Sequence, residues 1–127
     1  MATGDERPSL WLPMAGISQV EAAVLGKLGE EAAELANIIF RIWIQGINEC
    51  DPESGKENRA ALMEEIADVE AMLEMAKRHF GILYRASISV RREKKIAMKT
   101  EWVRMIEEYY ENRVYGPGGV RPSGTPS

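Results

Sequence analysis

The chain has 127 residues, 45% of them hydrophobic, with 20 Asp and Glu against 16 Lys and Arg, one His and one Cys. That is the size of one domain with a single core, and a net charge of −4 argues against a whole-surface binder of nucleic acid polymer, which needs basic charge to displace counterions. Cys50 has no second cysteine with which to form an internal disulfide, and one Cys with one His does not close a tetrahedral zinc site.

Met1 to Pro13 carries Asp5, Glu6, Pro8 and Pro13 and has no long apolar run behind a basic start, so no signal peptide is expected there. No stretch approaches the roughly 20 apolar residues of a membrane helix. Together with the lone cysteine these features predict a cytoplasmic protein without a membrane partner. Residues 1–16 read as an N-terminal arm.

A first helix is predicted from Ser18, a plausible N-cap, to Ile44 or Gln45. Gly26 and Gly29 weaken it and mark where it would split. The segment from Asn48 to Gly55, with Pro52 inside it, reads as a loop. A second helix is predicted from Lys56 to His79, ended by Gly81, and a third from Ser87 to Asn112, with Tyr84 to Val90 open between helix and extended chain. Gly116 to Ser127 is rich in Gly, Pro and Ser and reads as a flexible tail over 114–127. The expectation is therefore an all-α domain over 17–113. It would be a helical bundle of three to four helices, completed by assembly into a homodimer or homotetramer because its wide apolar stripes exceed what one short bundle covers.

At about 100° per residue, Val20, Val24, Leu28, Leu35, Ile38, Ile39 and Ile42 fall in one arc of the first helix. Glu31 lies inside that arc, Glu34 about 40° beyond its edge, and Glu30 further out. The second helix repeats the arrangement. Leu62, Ile66, Val69, Met72, Leu73, Ala76 and Phe80 form its stripe, Glu65 lies inside, Asp68 at the margin, and Glu64 outside. Burying one unpaired carboxylate costs several kcal/mol, and gathering four adds mutual repulsion unless protons or cations offset it. Two i, i+3 acidic pairs on helices packed stripe to stripe would offer oxygen ligands to one or two hard divalent ions. Carboxylates with no His and no Cys favour Mg²⁺ or Mn²⁺. A di-iron carboxylate site needs Glu-x-x-His on two helices, and His79 is too far from Asp68 to complete one; it reads as a helix-end residue.

Gly29-Glu-Glu-Ala-Ala-Glu-Leu35 followed by Glu64-Glu-Ile-Ala-Asp-Val69 resembles the all-α nucleoside triphosphate pyrophosphohydrolases, the MazG-like superfamily, whose signature is Glu-Glu-x-x-Glu and then Glu-x-x-Asp. The resemblance covers residues 17 to 80 well and the third helix loosely. The connection from Leu35 to Glu64 is long for the family, with its extra length placed in a surface loop at Cys50 to Gly55. The resemblance implies a Mg²⁺-dependent enzyme that hydrolyses the α,β phosphoanhydride of an NTP or dNTP to the monophosphate and pyrophosphate. It implies Glu31, Glu34, Glu65 and Asp68 as metal ligands and Glu30 as the residue that orients or deprotonates water. A relative acting on phosphoribosyl-ATP would use the same metals and cleave the same bond. The reading outside enzymology is a helical interaction protein whose acids hold a structural cation or a basic partner.

Polyphosphate also calls for protein cations. Arg92, Lys95 and Lys99 fall on the side of the third helix that carries Trp102, Ile106 and Tyr110, and are candidate phosphate-binding residues; a solvated charged face is the alternative. Trp11, Phe40, Trp43 and Trp102 are candidates for base stacking, against core or subunit-interface positions. Asn37 and Asn58 would read base edges or cap and solvate. Met63, Met72, Met75, Met98 and Met105 read as packing residues.

Overall fold

A computed structural model describes residues 15–115, with side chains from 15 to 113. Most of the expected arm, Trp11 included, and most of the expected tail lie outside the described residues. The chain is all-α: helices α1 (Gln19–Gln45), α2 (Asn58–His79) and α3 (Arg85–Tyr115) are joined by a loop and a short 3-10 turn at Ile82–Tyr84. Among the described residues no helix is long and apolar enough to cross a membrane. The chain divides into two compact units, one running to Ile82 and the other from Leu83.

In the first unit, α1 begins where Ser18 supplies a capping box. Ser18 Oγ accepts from the Glu21 backbone N–H at 3.1 Å, and Glu21 Oε1 accepts from the Ser18 N–H at 3.0 Å, satisfying two amides that have no partner inside the helix. The helix then runs unbroken through Gly26 and Gly29. The expected weakening does not split it, because α1 packs on α2 along its length and tertiary packing outweighs the propensity loss at two positions. Gly46 stops it in a conformation with φ +98°, its N–H still reaching Ile42 O at 2.8 Å. Only a residue without Cβ adopts this backbone freely.

The α1–α2 connection is ordered by its own hydrogen bonds. Cys50 and Glu57 form an isolated antiparallel bridge, and the Asp51 N–H donates to Lys56 O at 2.9 Å. Within that turn the Asp51 carboxylate accepts from the Glu53 N–H and the Ser54 hydroxyl, which holds its pKa below the ordinary value. Lys56 and Glu57 are used in this closure, so α2 starts at Asn58 rather than at Lys56. Asn58 is fully buried and clamps the hairpin. Its Nδ2 donates to Gly46 O at 2.9 Å and to Gln45 Oε1 at 3.5 Å, and its backbone N–H donates to Glu49 O at 2.8 Å.

The two helices are antiparallel. Asn58 at the start of α2 meets the end of α1, Glu31 in mid-α1 meets Glu65 and Asp68 in mid-α2, and Glu21 near the start of α1 feels the charge of His79, the last residue of α2. Among the described residues Val24 and Ile38 are the buried apolar side chains. Leu28, Leu35 and Ile42 of α1 and Leu62, Ile66, Val69, Met72 and Ala76 of α2 are half-buried, whereas Val20, Ile39 and Leu73 at the stripe margins are exposed. The basic last turn of α2, Lys77, Arg78 and His79, complements the negative end of the helix dipole.

In the second unit, α3 extends beyond Ser87 to Asn112 at both ends and includes all of Arg85 to Val90. It holds neither Gly nor Pro, so nothing in its sequence interrupts it. Arg104 ties two turns together through Glu101 and Glu108, each at 2.7 Å.

Candidate metal centre

Three residues of α1 are buried: Val24, Glu31 and Ile38. They are spaced seven apart, the repeat that keeps side chains on one seam between packed helices. A carboxylate thus occupies the middle of an otherwise apolar seam. From the facing helix, Glu65 is half-buried and Asp68 exposed, and one carboxylate oxygen from each of Glu31, Glu65 and Asp68 lies within 4.8 Å of the others. Asp68 sits one turn after Glu65, so α2 presents both to the same side.

Hydrogen bonding leaves this group incomplete. Glu31 Oε2 and Glu65 Oε2 are both buried with no hydrogen-bond partner. Buried polar atoms in folded proteins are almost always partnered, and an unsatisfied one costs about 1–3 kcal/mol, more if charged. Two such oxygens in one acidic group fit a ligand that offers positive charge. The donor set is all oxygen, as hard divalent cations require, and Mg²⁺–oxygen distances of about 2.1 Å place ligands of one ion roughly 3 to 4 Å apart. Zinc or copper would draw on imidazole or thiolate, and none belongs to the group.

The neighbouring acids differ. Glu34 is exposed and stands outside the three-oxygen group, yet Glu31 raises its pKa, first by charge repulsion and then by hydrogen bonding, with smaller contributions from burial, Glu65 and Glu30. It therefore lies within the cluster's field at its solvent side. Glu30 is exposed, with Oε2 3.3 Å from Lys27 Nζ. Glu64 also faces out, held by Lys56 at 2.6 Å.

One participant was not singled out by the sequence pattern. Lys27 Nζ lies 3.3 Å from Glu31 Oε1 as well as from Glu30, and both pairs raise the lysine pKa. The signal was its i, i+3 and i, i+4 spacing to the two acids. Asn58 does not read base edges, because its side chain is fully buried, with Nδ2 in the hairpin clamp and Oδ1 enclosed without a partner. Asn37 is exposed on α1.

The three candidate phosphate-binding residues belong to the second unit. Arg92, Lys95 and Lys99 are exposed on α3, with Arg92 paired to Glu93 at 2.7 Å and Lys99 Nζ 5.5 Å from the Trp102 ring centroid. That cation–π contact agrees with the predicted shared face. The aromatic candidates Phe40, Trp43 and Trp102 are exposed, so none is a core residue of the fold. The chain matches no family model, no curated protein and no solved structure.

Proposed function

We propose that the protein is a Mg²⁺-dependent nucleoside triphosphate pyrophosphohydrolase, which cleaves an NTP or dNTP to the monophosphate and pyrophosphate. The observation that carries this reading is the convergence of Glu31, Glu65 and Asp68 from two helices, with two buried carboxylate oxygens unpartnered. The resemblance of Glu30, Glu31, Glu34, Glu65 and Asp68 to the MazG-like signature gives that convergence its chemistry.

Glu31, Glu65 and Asp68 would hold the cation, with Glu34 as a further ligand from the solvent side. Bound there, Mg²⁺ or Mn²⁺ would neutralise charge on the phosphate oxygens and acidify water. Without it the acids would repel a triphosphate. Glu30, exposed beside the cluster, would orient a water and accept its proton as the water oxygen bonds to the α-phosphorus. The bond from that phosphorus to the oxygen bridging the β-phosphate breaks, and pyrophosphate leaves with the electron pair. Arg92, Lys95 and Lys99 would meet phosphate charge.

Exposed Phe40, Trp43 and Ile44, at i, i+3 and i+4 on α1, support a homodimer or homotetramer that covers them; sedimentation equilibrium reads that state. The deciding measurement for the activity is release of monophosphate and pyrophosphate from a panel of NTPs and dNTPs, with and without Mg²⁺. Metal-dependent pyrophosphate release is expected. Cation binding with no pyrophosphate release across the panel would leave an interaction protein holding a structural cation.

A further inference from the structure

Lys27 occupies an unusual place for a helix-surface lysine. Its ammonium is 3.3 Å from Oε1 of Glu31, a carboxylate whose side chain is only 10% exposed, while its own side chain is 50% exposed. The two Glu31 oxygens therefore have different fates: Oε1 is engaged by the ammonium, and Oε2 is buried without a partner. A lysine has four rotatable carbons and a compact, strongly hydrated head, so it exchanges one anionic partner for another at little expense. Its position at the exposed edge leaves a path to solvent.

We propose that Lys27 is a built-in cation that shares Glu31 with the divalent ion, lowering the affinity of the free protein for metal alone and turning to the phosphate chain when nucleotide arrives. This inference rests on the reading of Glu31, Glu65 and Asp68 as a cation site. An ammonium on one oxygen of a carboxylate repels a divalent ion on the other, and in the partly solvated edge of the protein that repulsion amounts to about tenfold in affinity. A polyphosphate reverses the balance. It supplies negative charge that both cations can share, so metal and nucleotide are taken up together rather than in sequence. The ligand class is thus a metal–polyphosphate complex.

The test compares the full chain with Lys27→Met and Lys27→Arg by calorimetry, using Mn²⁺ alone and then a non-hydrolysable α,β-methylene nucleoside triphosphate in saturating Mg²⁺. Lys27→Met is expected to bind Mn²⁺ alone about tenfold more tightly and the nucleotide about tenfold more weakly, with Lys27→Arg close to the unaltered protein in both. Glu65→Gln serves as the reference for the site itself. If the unaltered protein binds Mn²⁺, Glu65→Gln abolishes it, and Lys27→Met leaves the Mn²⁺ affinity unchanged or weaker, the role of Lys27 is overturned while the cation site stands. Tighter Mn²⁺ binding with unchanged nucleotide binding overturns the transfer to phosphate. No Mn²⁺ binding by the unaltered protein overturns the site and the inference with it.

Discussion

Glu31 of α1 and Glu65 of α2 each hold a carboxylate oxygen out of solvent without a hydrogen-bond partner, and one oxygen of each lies within 4.8 Å of the other and of Asp68. Helix packing that brings two such groups together works against itself, since each loses hydration and each repels the other. The hairpin should therefore be more stable when one charge is removed. In EDTA, Glu65→Gln is expected to raise unfolding stability by about 1–2 kcal/mol, because its amide both abolishes the repulsion and donates to a neighbouring oxygen. Adding Mg²⁺ at about 100 times its dissociation constant should stabilise the unaltered protein by roughly 2.7 kcal/mol and leave Glu65→Gln where it was. Urea melts with and without Mg²⁺ measure both. A metal response that survives Glu65→Gln would place the cation elsewhere.

How this arrangement was visible beforehand differs from residue to residue. Glu31 was legible because the period of a helix alone puts it between Val24 and Ile38. Glu65 was legible for the same reason, and the all-α architecture followed from long stretches free of proline. The convergence of Glu31 with Glu65 and Asp68 depended on the antiparallel pairing register, which the composition of either helix leaves open. Lys27 was hidden because its spacing to Glu30 and Glu31 is that of countless surface ion pairs; only the burial of Glu31 gives it another meaning. The choice left open for Asn58 was not legible, because its clamp depends on where Gly46 turns the chain. A polar residue at a helix start looks the same in sequence whether it faces solvent or a carbonyl.

The roles assigned around the cluster separate by what each substitution removes. Glu30→Gln takes away a proton acceptor but none of the three convergent oxygens. It should lower kcat for pyrophosphate release by about 10²- to 10⁴-fold and keep Mg²⁺-dependent stabilisation. Asp68→Asn should lose both. Ala at Arg92, Lys95 and Lys99 together should act mainly on KM, raising it about tenfold if the positive charges contribute binding equally to substrate and transition state. Steady-state kinetics beside thermal melts distinguish these patterns. Unchanged kcat in Glu30→Gln would remove it from the chemistry.

The buried clamp at the other end of the hairpin carries an independent expectation. Asn58→Ala removes the donor to Gly46 O and leaves that carbonyl and a small void behind, and should cost about 1–3 kcal/mol. Because Asn58 fixes the loop rather than the acids, Mg²⁺ should stabilise the variant as much as it does the unaltered protein. Hydrogen exchange at the Asn58 and Arg59 amides, which donate to Glu49 O and Ile47 O, should accelerate more than exchange in mid-α1. Uniform acceleration along α1 would show that the clamp sets helix pairing as well as loop closure.

The start of α1 gives a pH dependence with a definite sign. Glu21 accepts from the Ser18 N–H, and this bond with the Ser18 hydroxyl holds its carboxyl below the ordinary value of 4.5. A carboxyl whose folded pKa is depressed binds protons more weakly folded than unfolded. Its contribution is therefore complete above 4.5 and is lost as pH falls from there through the depressed value. Glu21→Gln lacks this charge at every pH. Its melting temperature should lie below that of the unaltered protein at pH 6 to 7, and the gap should close progressively under pH 4.5. Ser18→Ala removes the other half of the box and should cost about 1 kcal/mol near neutral pH. Combined with Glu21→Gln the two costs should roughly add, since the Gln amide oxygen still accepts from the Ser18 N–H and the residue-21 backbone N–H still has only Ser18 Oγ to donate to, so Glu21→Gln removes the charge and Ser18→Ala the hydroxyl. A Glu21→Gln gap that persists unchanged to pH 3 would mean that packing of the side chain, and not its charge, supports the helix start.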